Sequence, residues 1–479
     1  YRRKSALRDT ARAFGLRPNE INRLIKNPSR EYTDIYRLAE RIISYPRHIS
    51  VHCGGIVITP EPIRKLAPLQ WTNKGIVVSQ YDKDAAEAMG LVKLDLLGNR
   101  SLSTVNETVN ILSKSGQSID IDKIDPEDKQ TAEMLSKGES LGVFQCESPG
   151  MRQLLRAMKI KNRHDLAIAL SLIRPGPAAG GMKAEYIDRH VNKKPFEYMH
   201  PKMQDIFDDT YGVMLYQEDI MKIAVEIAGY DLADADRFRS EVSKKVSSAR
   251  VHRQYEEFVY RRADKAGLDR YTAEAIWEKI LQFAAYSYCR AHASVYANIA
   301  WQTAFLKAHF PQQFYCSIFN NHHGMYPMRV YVWDAIRKGI KILPPHVNKS
   351  DIEWSIKGNA IRAGLGIIKG LSYRSIHHII HQRNIAEFGD LSDFRYRTNF
   401  SSRELRNLIH LGGCDGLAKS RSVMLEQLKY PLPKPDQFLL FDLLPDDSKT
   451  NKTDYNRRQR LWAEVKVTGI PFSGHPAIT

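Results

Sequence analysis

The stretch GLVKLDLLGN, Gly90 to Asn99, poses the question on which the reading of this chain turns. Val92, Leu94 and Leu96 alternate with Lys93 and Asp95, the period of two of a half-buried β-strand. Residues two apart on a strand share a face and stand about 7 Å from each other. A lysine and a carboxylate therefore stand side by side, opposite an oily face, before Leu97-Gly98 ends the strand. A carboxylate so placed suits Mg²⁺, and a neighbouring lysine suits a phosphate. A solvated outer face carrying a surface ion pair explains the same residues.

Further strand signals, HCGGIVIT and KGIVVSQY, precede this segment, separated by Pro and Asn/Gly turns. Residues 1–48 read as helical and basic. In RRKSALRDTARAFG, Ala6, Leu7, Ala11 and Phe14 fall at helical spacing, while Arg2, Arg3, Lys4, Arg8 and Arg12 crowd the remaining positions. The first fifty residues hold twelve Lys/Arg against five Asp/Glu. From 106 to about 345 the patterns are mostly helical, punctuated by RPGP, TYG and ILPP. Shorter mixed elements follow over 346–428. KYPLPKPDQFLLFDLLPDDSKTNKTDYN then reads as a linker with one apolar island, and RLWAEVKVTGIPFSGHPAIT starts a further element.

The chain has 479 residues, enough for roughly three or four domains. At 43% hydrophobic and 10% aromatic it can bury real cores. Lys and Arg number 71 against 54 Asp and Glu, a net charge of +17, which points to a polyanionic partner and most often to nucleic acid. No run approaches the ~18 apolar residues of a membrane span, and no signal peptide opens the chain. The start at Tyr1 suggests a piece of a longer protein. The five cysteines, Cys53, Cys146, Cys289, Cys316 and Cys414, form no CxxC pair. They fit a reducing cytoplasm and read as small buried residues.

Several segments carry candidate chemistry. RFRSEVSKK places Arg237 and Arg239 two apart, so that on a helix they diverge, with Lys244 and Lys245 after them. A solvated helix face is an equal reading. RPGP, Arg174 to Pro177, is a rigid turn beside an arginine. In YSYCRAHASVYANIAWQ, Tyr288, His292 and either Val295 or Tyr296 share a helical face that could stack a base, though a core role is favoured. GLGIIKGL, with Gly366 and Gly370 around Ile367-Ile368-Lys369, resembles a helix–hairpin–helix that offers backbone N–H groups to a phosphate. QFLLF, Gln437 to Phe441, is an apolar island that needs a destination, either its own domain or a partner pocket.

Together these segments resemble the bacterial DNA polymerase III alpha subunit, the C-family replicative polymerase. The resemblance runs through RRKSALRDTARAFG, HCGGIVIT, SQYDKDAAEAMGLVKLDLLG, LGVFQCESPGMRQLL, IRPGP, TYGVMLYQEDIMKIA, FLKAHFPQQF, ILPPHVN, GIIKGL and SGHP, in family order. It implies an α+β right hand. The thumb would span 1–48, a partial palm related to that of polymerase beta 49–105, and large helical fingers 106–345. A helix–hairpin–helix or clamp-binding domain would follow over 346–428, a linker with a clamp-binding motif over 429–460, and the start of a truncated OB-fold region from 461 to 479.

The resemblance also implies site residues. Asp95 matches the third catalytic aspartate and metal ligand, and Lys93 a lysine that contacts nucleotide phosphates. Two Mg²⁺ ions about 4 Å apart would activate the primer 3′-OH and stabilise the leaving pyrophosphate. The family's PDxD motif, which carries its other two aspartates, is not found, and SIDIDKIDP does not match it in position. Arg239 matches the first of two triphosphate-binding arginines, with Ser240 at the second; Lys244 and Lys245 match the basic pair after them, and Arg290 and His292 line the nucleotide pocket. Arg2, Arg3, Arg8, Gly366, Lys369 and Gly370 would address DNA. Gln437, Leu440 and Phe441 match the anchors of the sliding-clamp motif.

The expected activity is template-directed DNA synthesis with primer–template DNA, deoxynucleoside triphosphates, the sliding clamp and other replisome subunits as partners. The place would be the cytoplasm, at the nucleoid, with no membrane. The CRAH segment leans toward an error-prone relative. The alternative is a catalytically silent DNA-binding subunit tethered to the clamp.

Overall fold

The computed structural model describes residues 1–48, 50–96, 98–173, 181–243, 248–284, 288–322, 324–430 and 453–474. It is a helix-rich α+β protein that divides into two compact units, Tyr1–Asn99 and Arg100–Thr479. The seam falls at Asn99 rather than at 105, because the helix Arg100–Lys114 packs Val105 and Leu112 into a core of the second unit.

In the first unit, helices Arg3–Ala13, Pro18–Lys26 and Thr33–Arg41 close around Ala11, Ile21, Leu24 and Ile35. Pro18 begins the second helix where its missing N–H costs nothing, and Glu20 reaches back to the Arg17 N–H at 2.7 Å. Phe14 does not join the buried stripe. The helix ends at Ala13, which leaves the ring 51% exposed.

Four strands follow: β1 (Gly55–Ile58), β2 (Leu69–Trp71), β3 (Val77–Ser79) and β4 (Val92–Asp95). They form two antiparallel ribbons, β1–β4 and β2–β3. The β1–β4 register sets Ile56 opposite Leu94, Ile58 opposite Val92, Val57 opposite Lys93 and Gly55 opposite Asp95. All four apolar residues of the first two pairs therefore share one face. That face is not buried: Ile56, Ile58, Val92 and Leu94 are between 41% and 61% exposed. Leu96 beyond the strand is exposed too. A two-stranded ribbon is too small to cover either of its own faces, so the alternation correctly marks a strand but not a buried one.

The second unit is mostly helical. One core gathers helices Pro149–Met158, Arg163–Leu172 and Arg290–His309. A second, rich in aromatics such as Phe238, Phe258 and Trp277, gathers Gln217–Glu226, Leu232–Ser243 and Arg270–Ala284. A third joins Arg100–Lys114, Pro311–Asn320 and Met328–Arg337 to a small sheet of β5 (Lys341–Leu343), β6 (Ser355–Lys357) and β7 (Ala360–Arg362), ordered β5-β7-β6. Trp354, Ile361 and Ile470 belong to this third core, so the packing runs unbroken across residue 345. The fourth holds Tyr373–Ile385, Leu391–Thr398 and Ser402–Leu411, and it includes Val467 of the helix Arg457–Thr468. The segment expected to open a new region at 461 is thus packed into the cores before it.

Of the cysteines, Cys146, Cys316 and Cys414 are buried as expected, whereas Cys53 is exposed and Cys289 half-buried. Among the described residues no helix is long and apolar enough to cross a membrane.

One buried charge pair ties the first and third cores. Lys307 Nζ, 1% exposed, donates to the Leu141 carbonyl at 2.7 Å and to Asp334 Oδ2 at 2.8 Å. Asp334 also accepts from the Tyr315 hydroxyl at 2.5 Å and the Arg337 guanidinium at 2.6 Å. Removing Lys307 leaves the buried Asp334 charge with only the Tyr315 hydroxyl and the mostly exposed Arg337 to offset it. Lys307→Met should lower stability by about 3–5 kcal/mol in denaturant unfolding. A change under about 1 kcal/mol would show that the pair behaves like a surface one.

Candidate functional site

The β4 pair is real. Lys93 Nζ lies 2.5 Å from Asp95 Oδ1, with the lysine side chain 21% and the aspartate 48% exposed. Gly55 faces Asp95 across the ribbon, and a Cβ there would come within 2.9 Å of His52 Nδ1. Glycine thus makes room for the His52 ring, whose Nδ1 accepts the Gly54 N–H at 3.2 Å and stands 3.7 Å from Asp95 Oδ1. The Lys93 hydrogen bond holds the Asp95 carboxyl below its ordinary range, so it is ionised at neutral pH.

A two-metal centre needs clustered carboxylates, and Mg²⁺ takes about six oxygens in near-octahedral geometry. Among the described residues no group of three or more His, Cys, Asp or Glu is placed to hold a metal. Asp95 with Lys93 on one of its oxygens is a single ligand. The described residues alone do not make that centre.

In the second unit, three segments converge. Arg239 places Nε and Nη2 on Asp236 Oδ1 at 2.9 and 2.7 Å, and Nη1 on Gln217 Oε1 at 3.2 Å. Arg237 diverges from it, as helical geometry demands, and pairs with Asp234 at 3.2 Å. The Gln217 N–H donates to the Tyr288 carbonyl at 2.8 Å. Next to it, Glu218 accepts the Arg290 N–H on both oxygens, at 3.1 and 3.0 Å, and so caps the helix Arg290–His309. The Arg290 guanidinium meets Asp209 and lies 5.3 Å from the Tyr216 ring. Gln217 and Glu218 thus link Arg239 to Arg290. Neither residue stood out in the sequence, where the only signal was an acidic pair opening a helix in YQED.

The His292 ring centroid lies 3.9 Å from that of Tyr296, the two rings tilted by 42°, and His292 meets Tyr288 edge-on at 5.3 Å. The two tyrosines pack against the first core while His292 itself is exposed, so the face is half core and half open surface. Lys244 and Lys245, the RPGP turn and QFLLF with Gln437, Leu440 and Phe441 lie outside the described residues.

The hairpin at 366–370 is formed, with Gly370 at φ +84°, a conformation other residues rarely adopt. Its donors are mostly occupied: Gly366 N–H goes to the Ile352 carbonyl at 2.9 Å and Lys369 N–H to the Val467 carbonyl at 3.2 Å. Gly366, the Lys369 side chain and Gly370 are the exposed residues it offers to solvent. In the first unit Arg2, Arg3 and Arg8 are all exposed.

Residues 101–266 match the bacterial DNA polymerase III alpha subunit finger domain. Residues 25–98 match the bacterial DNA polymerase III alpha NTPase domain, and 339–424 a helix-hairpin-helix motif. The chain is 34% identical to DNA polymerase III subunit alpha of Bacillus subtilis, over 99% of the chain and 46% of that protein. It is 32% identical to the Thermus aquaticus DNA polymerase III subunit alpha, over 99% of the chain and 42% of that protein. To an error-prone DNA polymerase of Symbiobacterium thermophilum it is 32% identical, over 90% of the chain and 44% of that protein. The chain spans less than half the length of these relatives. The matched segments define a chain of the bacterial replicative polymerase class, with finger, NTPase and helix-hairpin-helix segments. It belongs to the bacterial DNA polymerase III alpha family.

A buried acid underlies the arginine site. Asp219 Oδ2 accepts the Leu215 and Tyr216 N–H groups at 2.9 and 2.8 Å, yet burial pushes its carboxyl up to about 7. The fold holds this proton more tightly than the unfolded chain does. The stabilisation is therefore full below the ordinary carboxylate range and is lost as pH climbs through about 7. Asp219→Asn, which cannot ionise, should gain on the wild type between pH 5 and pH 8, by on the order of 2–3 kcal/mol at most. Thermal melts across that range check this, and a stability difference that does not change with pH contradicts it.

Proposed function

We propose that this chain supplies the thumb, part of the palm, the fingers and the helix–hairpin–helix region of a DNA-directed DNA polymerase performing template-directed nucleotidyl transfer. The observation that carries this is the pairing on β4, an ionised carboxylate beside a lysine within the segment that matches the NTPase domain. In this reading Asp95 is one Mg²⁺ ligand, and the remaining carboxylates come from the part of the relatives' length that this sequence does not span. Arg239, Arg290 and His292, with Lys244 and Lys245, receive the triphosphate of the incoming nucleotide. Arg2, Arg3, Arg8, Lys369 and the Gly366–Gly370 hairpin hold primer–template phosphates. Such contacts position DNA without reading its sequence. The enzyme works in the cytoplasm, on the nucleoid, alongside other replisome subunits.

One observation favours a second reading, a catalytically silent DNA-binding subunit: the described residues bring a single carboxylate to β4. Primer extension by the complete protein separates the two. Asp95→Asn should abolish extension and leave primer–template affinity intact, because metal ligation rather than DNA affinity needs the carboxylate. Extension at near wild-type rates by that variant would remove Asp95 from catalysis.

The sliding clamp is the proposed partner of Gln437, Leu440 and Phe441. Short peptides concentrate binding in a few anchors, each worth about 2 kcal/mol or more. Replacing Leu440 and Phe441 together with Ala should weaken clamp binding by well over about tenfold at unchanged melting temperature. Unchanged clamp affinity with a lowered melting temperature would make the island a piece of core.

A further inference from the structure

A groove of about 760 Å³ runs between the helices Ser402–Leu411 and Arg457–Thr468, at the hairpin end of the fourth core. Arg403 and Arg406 line one wall, Trp462 and Lys466 the other, and His410 with Tyr455 lies between them. No acidic side chain is among the described residues that line it. The Arg403, Arg406 and Lys466 side chains are exposed. Burial first, and then the charges of Lys466, Arg406 and Arg421, holds the His410 imidazole below its ordinary pKa. His410 Nδ1 meets the Tyr455 hydroxyl at 2.7 Å, which fixes the two rings between the walls.

Among the described lining residues these cations meet no carboxylate, and like charges on facing helices repel one another, a repulsion that a polyanion relieves. Trp462 adds a second property. It is 69% exposed, a large aromatic surface that no core uses. Cations with an open aromatic face are what single-stranded nucleic acid needs, phosphates on the former and a base on the latter. An acidic peptide would use the cations but not the ring. The groove also adjoins the hairpin: Asn407 Nδ2 donates to the Lys369 carbonyl at 2.7 Å, and Lys369 N–H donates to Val467 at the end of the opposite helix. A strand whose phosphate sits at Gly370 therefore has a continuous path between the walls.

We propose that this groove binds single-stranded DNA beside the hairpin, with phosphates on Arg403, Arg406 and Lys466 and one base stacked on Trp462. The inference rests on the reading of the chain as a DNA-handling protein and adds a single-strand site to it. The test uses the complete protein and fluorescence anisotropy with three probes: a blunt duplex, the same duplex with a single-stranded dT overhang, and poly-glutamate as a competitor.

Trp462→Ala should weaken the overhang probe by about tenfold or more, the effect of losing one base stack. Trp462→Phe should restore most of that loss, and the blunt duplex should bind as before. Arg403→Ala with Arg406→Ala should weaken the overhang probe and flatten its salt dependence by roughly one phosphate per arginine. Both variants should melt with the wild type, since these side chains are exposed. If they bind the overhang as the wild type does while the blunt duplex still binds, the groove proposal fails and the polymerase reading stands. If the wild type binds none of the DNA probes, the polymerase reading fails as well. Displacement of the overhang by poly-glutamate, with Trp462→Ala without effect, makes the occupant an acidic peptide and overturns the proposal.

Discussion

A helix buried nearly all round along its C-terminal half must be fixed at both ends, and the second unit is organised around one that is. Arg290–His309 is 20 residues long, and from Ala300 to Leu306 only Phe305 keeps part of its surface in contact with solvent. Its start is held by Glu218, which takes the Arg290 N–H, and its end by Lys307, which reaches Leu141 and Asp334 indoors. Between those ends it packs on the helix Arg163–Leu172 and sends Trp301 Nε1 to the Asp125 carbonyl at 2.9 Å. Because both ends are set by charge and the middle by packing, the helix has one register available. Arg290 and His292 inherit their positions from that register.

The cations of the two candidate sites stand in two electrostatic states. Those around Gln217 and Glu218 are already partnered: Arg239 lies on Asp236 and Gln217, Arg290 on Asp209, Arg237 and Arg262 on Asp234. Any triphosphate taken by Arg239 and Arg290 must draw their guanidinium groups away from carboxylates. On the proposed reading the arginines would discriminate between ligands, because a weak anion cannot compensate the broken pair. In the groove beside the hairpin, by contrast, the cations meet no acidic side chain among the described lining residues, so an anion there has no carboxylate to displace.

What was legible in the sequence follows how local each feature is. The strand at Val92–Asp95 and the hairpin at 366–370 depend on residue types within a few positions, and both appear where the patterns put them. The divergence of Arg237 from Arg239 follows from helix geometry alone. β2 was not legible, because Leu69-Gln70-Trp71 is too short to show a period. Glu218 and Lys307 were not legible because their partners lie far along the chain, at Arg290 and at Leu141 and Asp334. A lysine inside an apolar run such as AFLKAHF can be recognised as buried, but nothing in the run names its partner. The exposure of the β4 oily face was hidden for a related reason. Alternation shows that a strand has two different faces, while burial depends on what lies over them.

That last point bears on the carboxylate itself. Asp95 is aimed by a ribbon of two strands, and a ribbon of that size is marginally stable on its own. Functional side chains need their supporting elements held to within about 0.5 Å. Here the support comes from three sources: the β1–β4 register, the Lys93 hydrogen bond, and the close approach of His52 over Gly55. None of them involves Ile56, Ile58, Val92 or Leu94, whose apolar surface stays in contact with water. Burying those four side chains would stabilise the ribbon through the hydrophobic effect, by about 25 cal/mol for each Å² covered. Since they alternate with Lys93 and Asp95 along β4, whatever covers the oily face also stiffens the strand that aims the carboxylate.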